Sequence, residues 1–318
     1  GAAAPCGFEL LESDQFGAAY QHNAFAALFN MQRVTRHALR KAGATFEASH
    51  EDFLVSDDID FHPTDLLEDA DGSLLVIDTG GWYKLCCPTS QLYKPDVLGA
   101  IYRVRREGSH RVADPRGTAL RWDSLPPEEL VERLRDQRPH VRQRASAELV
   151  ELGDSAAAAL AAVLRASESA QHRLQSVWVL SQLASDPALA ALRDALSDAD
   201  EDVRQAAAHS AGLHRDGRAV PALLELLAGG TPHNQRAAAE ALGRIGDSQA
   251  VAALLAGESG DNRILDHSLT FAVIEIDGSR GRSGIRRGAA VRIGAGDIRE
   301  GPASRNRYFG NGIALTAR

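Results

Sequence analysis

Between residues 125 and 277 the sequence returns to the same letters every 31 positions. Arg142, Arg173 and Arg204 are 31 apart; AVPALL at 219–224 recurs as AVAALL at 250–255, and ALAAL at 188–192 falls 31 before the first. Leu149, Leu180, Ala211 and Leu242 keep the same phase. A period of this length with two amphipathic helical stretches per unit describes stacked helix hairpins. Each unit buries its apolar face only against its neighbours. Runs of small residues, Ala206–Ala208 and Ala237–Ala239, let such helices approach closely. The array opens at Pro126-Pro127, where the missing N–H costs nothing in a first helical turn, and Glu128-Glu129 suit the positive helix end.

The totals bound the function. A length of 318 residues predicts about two domains. A formal charge of −8 argues against a general nucleic-acid binder, which needs a basic surface. Hydrophobic residues at 44% suffice for packed cores, while aromatics at 5% suit close-packed helices better than a large sandwich. No run of 18 apolar residues is present to span a membrane. Residue 1 is Gly and no signal-like segment follows, so the chain is expected to begin after processing or partway through a longer protein. Cys6, Cys86 and Cys87 are too few for a disulfide framework.

Residues 1–122 carry strand patterns at 23–30, 33–41, 45–55, 63–80 and 99–106. In the second, Val34, Arg36, Ala38 and Arg40 mark a period of two. Asp71-Gly72, between LLEDA and SLLVID, is the strongest hairpin signal, because both turn positions tolerate positive φ. Short antiparallel strands joined by hairpins form a meander, as in a propeller blade. The expected organisation is a sheet region at 1–122, a solenoid at 123–278 and a tail at 279–318. The tail holds nine Arg, eight Gly and only two acids, Asp297 and Glu300, a composition expected to stay unstructured. The alternative for it is a basic arm for an anionic partner.

Two resemblances sharpen this. PHVRQRASAELVELGD (139–154) and EDVRQAAAHSAGL (201–213) resemble HEAT repeats of the short bacterial type, over about four units and the start of a fifth at DHSLTFAVIEI. HPTD, DGSLLVIDTGGW and GAIYRVRR resemble the last blade of bacterial sorbosone- or glucose-dehydrogenase-like propellers, and FGAAYQHNAFAALFNMQRVTRHAL is similar to the blade before it. In planctomycete-type members of that family, HEAT repeats commonly follow the propeller. The resemblance therefore implies a multidomain chain, a partial antiparallel β-propeller followed by an all-α HEAT solenoid. It further implies a periplasmic or secreted parent that oxidises a sugar or alcohol by hydride transfer to bound PQQ, with Ca²⁺. The family's catalytic His comes from an earlier blade and no CxxCH haem motif is present, so no catalytic residue is assigned and the chain alone is expected to lack turnover.

In that frame the loop SDDIDFH (56–62), the insertion at 79–95 and the hairpin FNMQRV (29–34) share a ligand-facing side. Asp57, Asp58 and Asp60 would bind Ca²⁺, which prefers hard carboxylate oxygens, or else form a solvated turn. His62 would face the site as a base or pack before Pro63. Asp78 either caps the insertion or faces the channel. Lys84, Arg33 and Arg36 would pair with quinone carboxylates or serve as surface strand residues, with Trp82 beside them on the cofactor side. Cys86-Cys87 would close a vicinal disulfide, pair with Cys6 or remain as buried thiols. The ladder Arg142, Arg173, Arg204 would line a groove for an acidic peptide or bond neighbouring repeats. His140, His172, His209, His214 and His233 read as surface positions. The solenoid is expected to dock a protein partner. A non-catalytic interaction scaffold is the alternative function, and nucleic-acid binding through the tail ranks last.

Overall fold

The structure, a computed structural model, describes residues 3–81, 94 and 96–281. The helical part obeys the repeat to the residue. Five helices, α2 (Pro139–Leu152), α4 (Ala170–Leu183), α6 (Glu201–Leu213), α8 (Pro232–Ile245) and α10 (Arg263–Gly281), start 31 residues apart. They alternate with a second row: α1 (Pro127–Arg133), α3 (Asp154–Ala166), α5 (Asp186–Asp194), α7 (Val220–Gly229) and α9 (Ala250–Ala256). The residue before each even helix from α4 onward is a capping type in the same phase: Ser169, Asp200, Thr231 and Asn262. Each side chain accepts a hydrogen bond from an amide of the first turn. Such caps contribute about 1 kcal/mol apiece.

One buried position per repeat keys the stack. Val141, His172, Val203, Asn234 and Leu265 lie 31 apart and are all buried. The two polar members are satisfied, as burial requires. His172 has the Val131 carbonyl 2.9 Å from its Nε2, and Asn234 donates to the Glu201 carbonyl while accepting from Arg204 Nε at 2.9 Å. His172 and His233 are therefore interior rather than surface side chains, and His214 Nε2 lies 2.7 Å from the Ser181 carbonyl.

The arginine ladder fastens one repeat to the next. Each member bonds a carbonyl six residues earlier, in the corner just past the preceding helix: Arg142 to Asp136 (2.9 Å), Arg173 to Ser167 (2.7 Å) and Arg204 to Asp198 (2.6 Å). Cationic donors are favoured there, where carbonyls are left without partners. The remaining nitrogens reach outward. Arg173 grips Asp198 through two bonds of 2.7 and 2.8 Å, Arg204 reaches Asn234, and Arg142 reaches Glu12 of the sheet region.

The sheet region does not show the expected propeller, and this corrects the expected fold class. It forms two small antiparallel sheets, one of β1 (Pro5–Leu10), β2 (Ala24–Leu28), β3 (Arg33–Ala42) and β4 (Thr45–Val55), the other of β5 (Pro63–Glu68), β6 (Leu74–Asp78) and β7 (Ala100–Val104). No closed barrel or propeller forms among the described residues. The sheets share one apolar core built on Leu11, Phe25, Val34, Leu66, Leu74 and Val76. β1 packs directly on β5: a Cβ at Gly7 would lie 2.3 Å from the Asp65 Cα, so only glycine permits the approach. The Asp71-Gly72 hairpin forms between β5 and β6, with positive φ at Gly72 and with Asp71 accepting from the Ser73 amide.

The long β3–β4 hairpin extends past this core and docks on the N-terminal edge of the even helices. Its tip residue Ala44 is fully buried within the helical core, and the Ala44 carbonyl accepts from Arg236 Nη1 at 3.2 Å. Lys41 pairs with Glu201 and Asp202 in the first turn of α6, and the Phe46 ring lies 5.0 Å from that of His233. The two parts thus share buried surface.

Two outcomes follow. Burial opposes ionisation of Asp198, but the Arg173 guanidinium and the Asp200 amide outweigh it and hold the carboxyl below its ordinary range. A depressed folded pKa gives stability that is complete above the unfolded value, about 3.9, and is lost as pH falls through the folded value. Asp198→Asn should therefore cost about 3 kcal/mol at pH 7, and denaturant titrations should show the gap from the unmutated chain closing below about pH 4. Ala44→Asp should bury an unpaired charge in the helical core, cost ~2 kcal/mol and open the hairpin to trypsin at Arg40 and Lys41, as limited proteolysis would report.

Candidate functional site

Several of the described residues expected around a cofactor make contacts within the sheet region. In the lead-in loop the His62 amide donates to Asp78 Oδ1 at 2.9 Å, and the Gly80 amide donates to the same oxygen at 2.9 Å, so Asp78 acts as the cap of the following loop. The His62 ring is buried, with Nδ1 2.8 Å from the Asp60 carbonyl and the Phe29 ring 4.8 Å away. The Asp60 carboxylate pairs with Lys94 at 2.7 Å; Asp58 accepts from the Asp60 amide, and Asp57 is exposed. Among the described residues no three His, Cys, Asp or Glu side chains come together to hold a metal ion.

Arg33 and Arg36 lie on β3 and pair across to β4, with Asp52 at 2.8 Å and Glu51 at 2.6 Å. Arg36 also stacks 4.0 Å above the Tyr20 ring. Cys6 is an exposed free thiol. Trp82, Lys84, Cys86 and Cys87 lie outside the described residues. Arg142, Arg173 and Arg204 are occupied by helix-end carbonyls and neighbouring side chains; the side chains of Arg142 and Arg173 are only 16% and 11% exposed. Arg173 borders a groove of about 400 Å³ between α3 and α5.

A different set of side chains stands free, and it follows the same period. One outward position of the even helices is occupied by Trp178, His209 and Phe271, with Glu240 between the last two. Trp178 is 40% and Phe271 49% exposed, and His209 is exposed as well. The Trp178 and His209 rings meet edge to face at 6.0 Å, and Phe271 stacks on His267 at 6.1 Å. Glu240 accepts from Arg236 at 2.9 Å. Aromatic side chains held half-open on a rigid helical row offer apolar area with little conformational entropy to lose. The signal was in the sequence: counting 31 onward from Trp178 reaches His209, and twice more reaches Phe271.

Comparison with known proteins agrees with this division. A family model described as HEAT repeats matches residues 127–212 and 189–272, and a model described as a domain of unknown function (DUF7133) matches residues 1–108. No curated protein matches the chain. Among solved structures, the chain is similar to the complex of CpcE and CpcF of phycocyanin lyase from Nostoc sp. PCC7120, at 26% identity and a TM-score of 0.40 over 48% of this chain and 66% of that one. It is also similar to human deoxyhypusine hydroxylase in complex with glycerol, at 20% identity and 0.35 over 48% and 74%. A third is a designed armadillo repeat protein, at 18% and 0.32 over 47% and 81%. This chain spans just under two thirds of the first of these structures. No described helix is long and apolar enough to cross a membrane. Residues 127–272, whose helices begin every 31 residues and whose sequence matches the repeat model, are HEAT repeats.

Proposed function

We propose that the chain is a non-catalytic scaffold that binds a partner protein along the ridge of Trp178, His209 and Phe271. The observation that carries this reading is the ridge itself: exposed aromatic groups in one phase on α4, α6 and α10, with Glu240 at the same position of α8. Exposed aromatic groups presented on a rigid surface are typical of interaction sites, and Trp is among the residues most enriched at their energetic centres. The HEAT repeats supply the rigidity, since caps, ladder and keyed core fix the spacing between the aromatic side chains. A partner that fits would present apolar groups at the matching interval.

A photo-crosslinking residue placed at 178 or at 271 should capture one and the same protein in the source cells. The same residue at exposed position 158 on α3, in the other helix row, should not. With that partner purified, the double variant W178A/F271A should bind at least about tenfold more weakly. Capture of equal yield from position 158 would contradict the ridge as the interface.

The cofactor chemistry implied by the resemblance of the first segment has no comparable support. Three of its described candidates are engaged internally: Asp60 with Lys94, Arg33 with Asp52, and Asp78 with backbone amides. Adding PQQ with Ca²⁺ should leave the melting midpoint unchanged and give no aldose-dependent dye reduction. A ligand that binds the folded state must raise the midpoint by mass action, so a rise that needs both additions would overturn this reading.

A further inference from the structure

Midway along the β3–β4 hairpin, His37 and His50 stand directly opposite one another in the register of the two strands. Opposed residues of an antiparallel pair hold their Cβ atoms about 4.5–5.5 Å apart on one face of the sheet. The two imidazole rings lie 6.2 Å apart between centres and 35° from parallel. The adjoining acids are occupied elsewhere, Asp52 by Arg33 at 2.8 Å and Glu51 by Arg36 at 2.6 Å. Neither histidine is paired with a carboxylate among the described residues.

One ring of the pair is held and the other is loose. His37 is half-buried, and its Nε2 lies 2.9 Å from the Thr35 hydroxyl, which leaves Nδ1 as its free nitrogen. An oxygen partner on one ring nitrogen is what fixes the tautomer and the orientation of a metal-bound histidine. Burial, and then the neighbouring His50, hold the His37 imidazole below its ordinary range, so that ring stays neutral at pH 7 and keeps a lone pair to offer. His50 is exposed, and no hydrogen bond holds its ring among the described residues.

We infer that His37 and His50 together chelate a divalent late transition-metal ion between β3 and β4. Neutral imidazole is the commonest protein ligand for such ions. With metal–nitrogen bonds of about 2.1 Å, one ion can hold two ring centres up to about 6.4 Å apart, so the observed separation is already within reach. Turning the exposed His50 ring closes the pair to a bent arrangement. No third His, Cys, Asp or Glu joins them among the described residues, so water completes the shell and the ion exchanges readily. The pair lies four residues short of Lys41 and Phe46, where the hairpin meets the solenoid. A bound ion therefore ties together the two strands that carry Ala44 into the helical core. The ridge on the even helices is a separate surface.

Calorimetric titration of the full chain, free of any histidine tag, with nickel(II) tests the assignment. Imidazole suits nickel, while thiolates select zinc or copper(I), so the cysteines compete least for this ion. One-to-one binding is expected, weakened at least about tenfold in His50→Ala and in His37→Ala. The double variant should bind no more weakly than either single one, because losing one ring already breaks the chelate. Cys6→Ser and His140→Ala should bind as the parent does. Nickel should also raise the melting midpoint of the parent and leave that of His50→Ala unmoved. His50 is exposed and unbonded, so its variant should fold like the parent and decides the matter even if His37→Ala does not fold. The absence of one-to-one binding, additive losses in the double variant, or equal weakening by His140→Ala would each overturn the proposal.

Discussion

The bond from each ladder arginine to the carbonyls that end the preceding helix is the interaction on which the rest of the structure depends. Those carbonyls lie in the corners just past the helix ends, where no further turn supplies a donor, and a guanidinium delivered from the next helix satisfies them while fixing the angle of the corner. With those three corners fixed, Val141, His172 and Val203 fall at equivalent depth, and the buried phase continues to Asn234 and Leu265, where Gln235 and Asp266 stand in place of the arginine. The caps Ser169, Asp200, Thr231 and Asn262 hold the opening turns in register. Only a stack this regular can align side chains as far apart in sequence as Trp178 and Phe271 on one ridge.

The same regularity gives the sheet region something to hold. N-terminal turns of successive even helices make an edge rich in Glu201, Asp202, His233 and Arg236, and the β3–β4 hairpin meets it with Lys41, the Ala44 carbonyl and Phe46. Arg142 makes the equivalent link at the first repeat, reaching Glu12 where Arg173 reaches Asp198. One ladder position has thus been turned from joining repeats to joining the two halves of the chain.

What the sequence disclosed depended on how local the determining interaction is. The repeat was legible because period, caps and apolar phase are properties of neighbouring residues, and strands at 45–55 and around Asp71-Gly72 were legible for the same reason. Sheet arrangement was not. Antiparallel meander signals say which strands pair, but the packing of β1 on β5 turns on the missing Cβ of Gly7, and the direction of the long hairpin on where Ala44 is buried. Histidine was misjudged by type: His172 occupies the position that is valine in two other repeats, which its identity hides and its phase reveals. The ladder arginines stood out as a motif yet serve the corners. The exposed ridge shares their period, which is hidden in the sequence because tryptophan, histidine and phenylalanine do not look alike as letters.

Hydrogen exchange of the full chain is the most direct test that hairpin and solenoid form one cooperative body. The amides of Ala42, Thr45 and Phe46 should exchange with the slow rate and the denaturant dependence of those in α6 and α8, because Ala44 leaves the helical core only when that core opens. Fast exchange at the hairpin tip beside slow exchange in α6 and α8 would show the two halves opening independently, and would contradict the account.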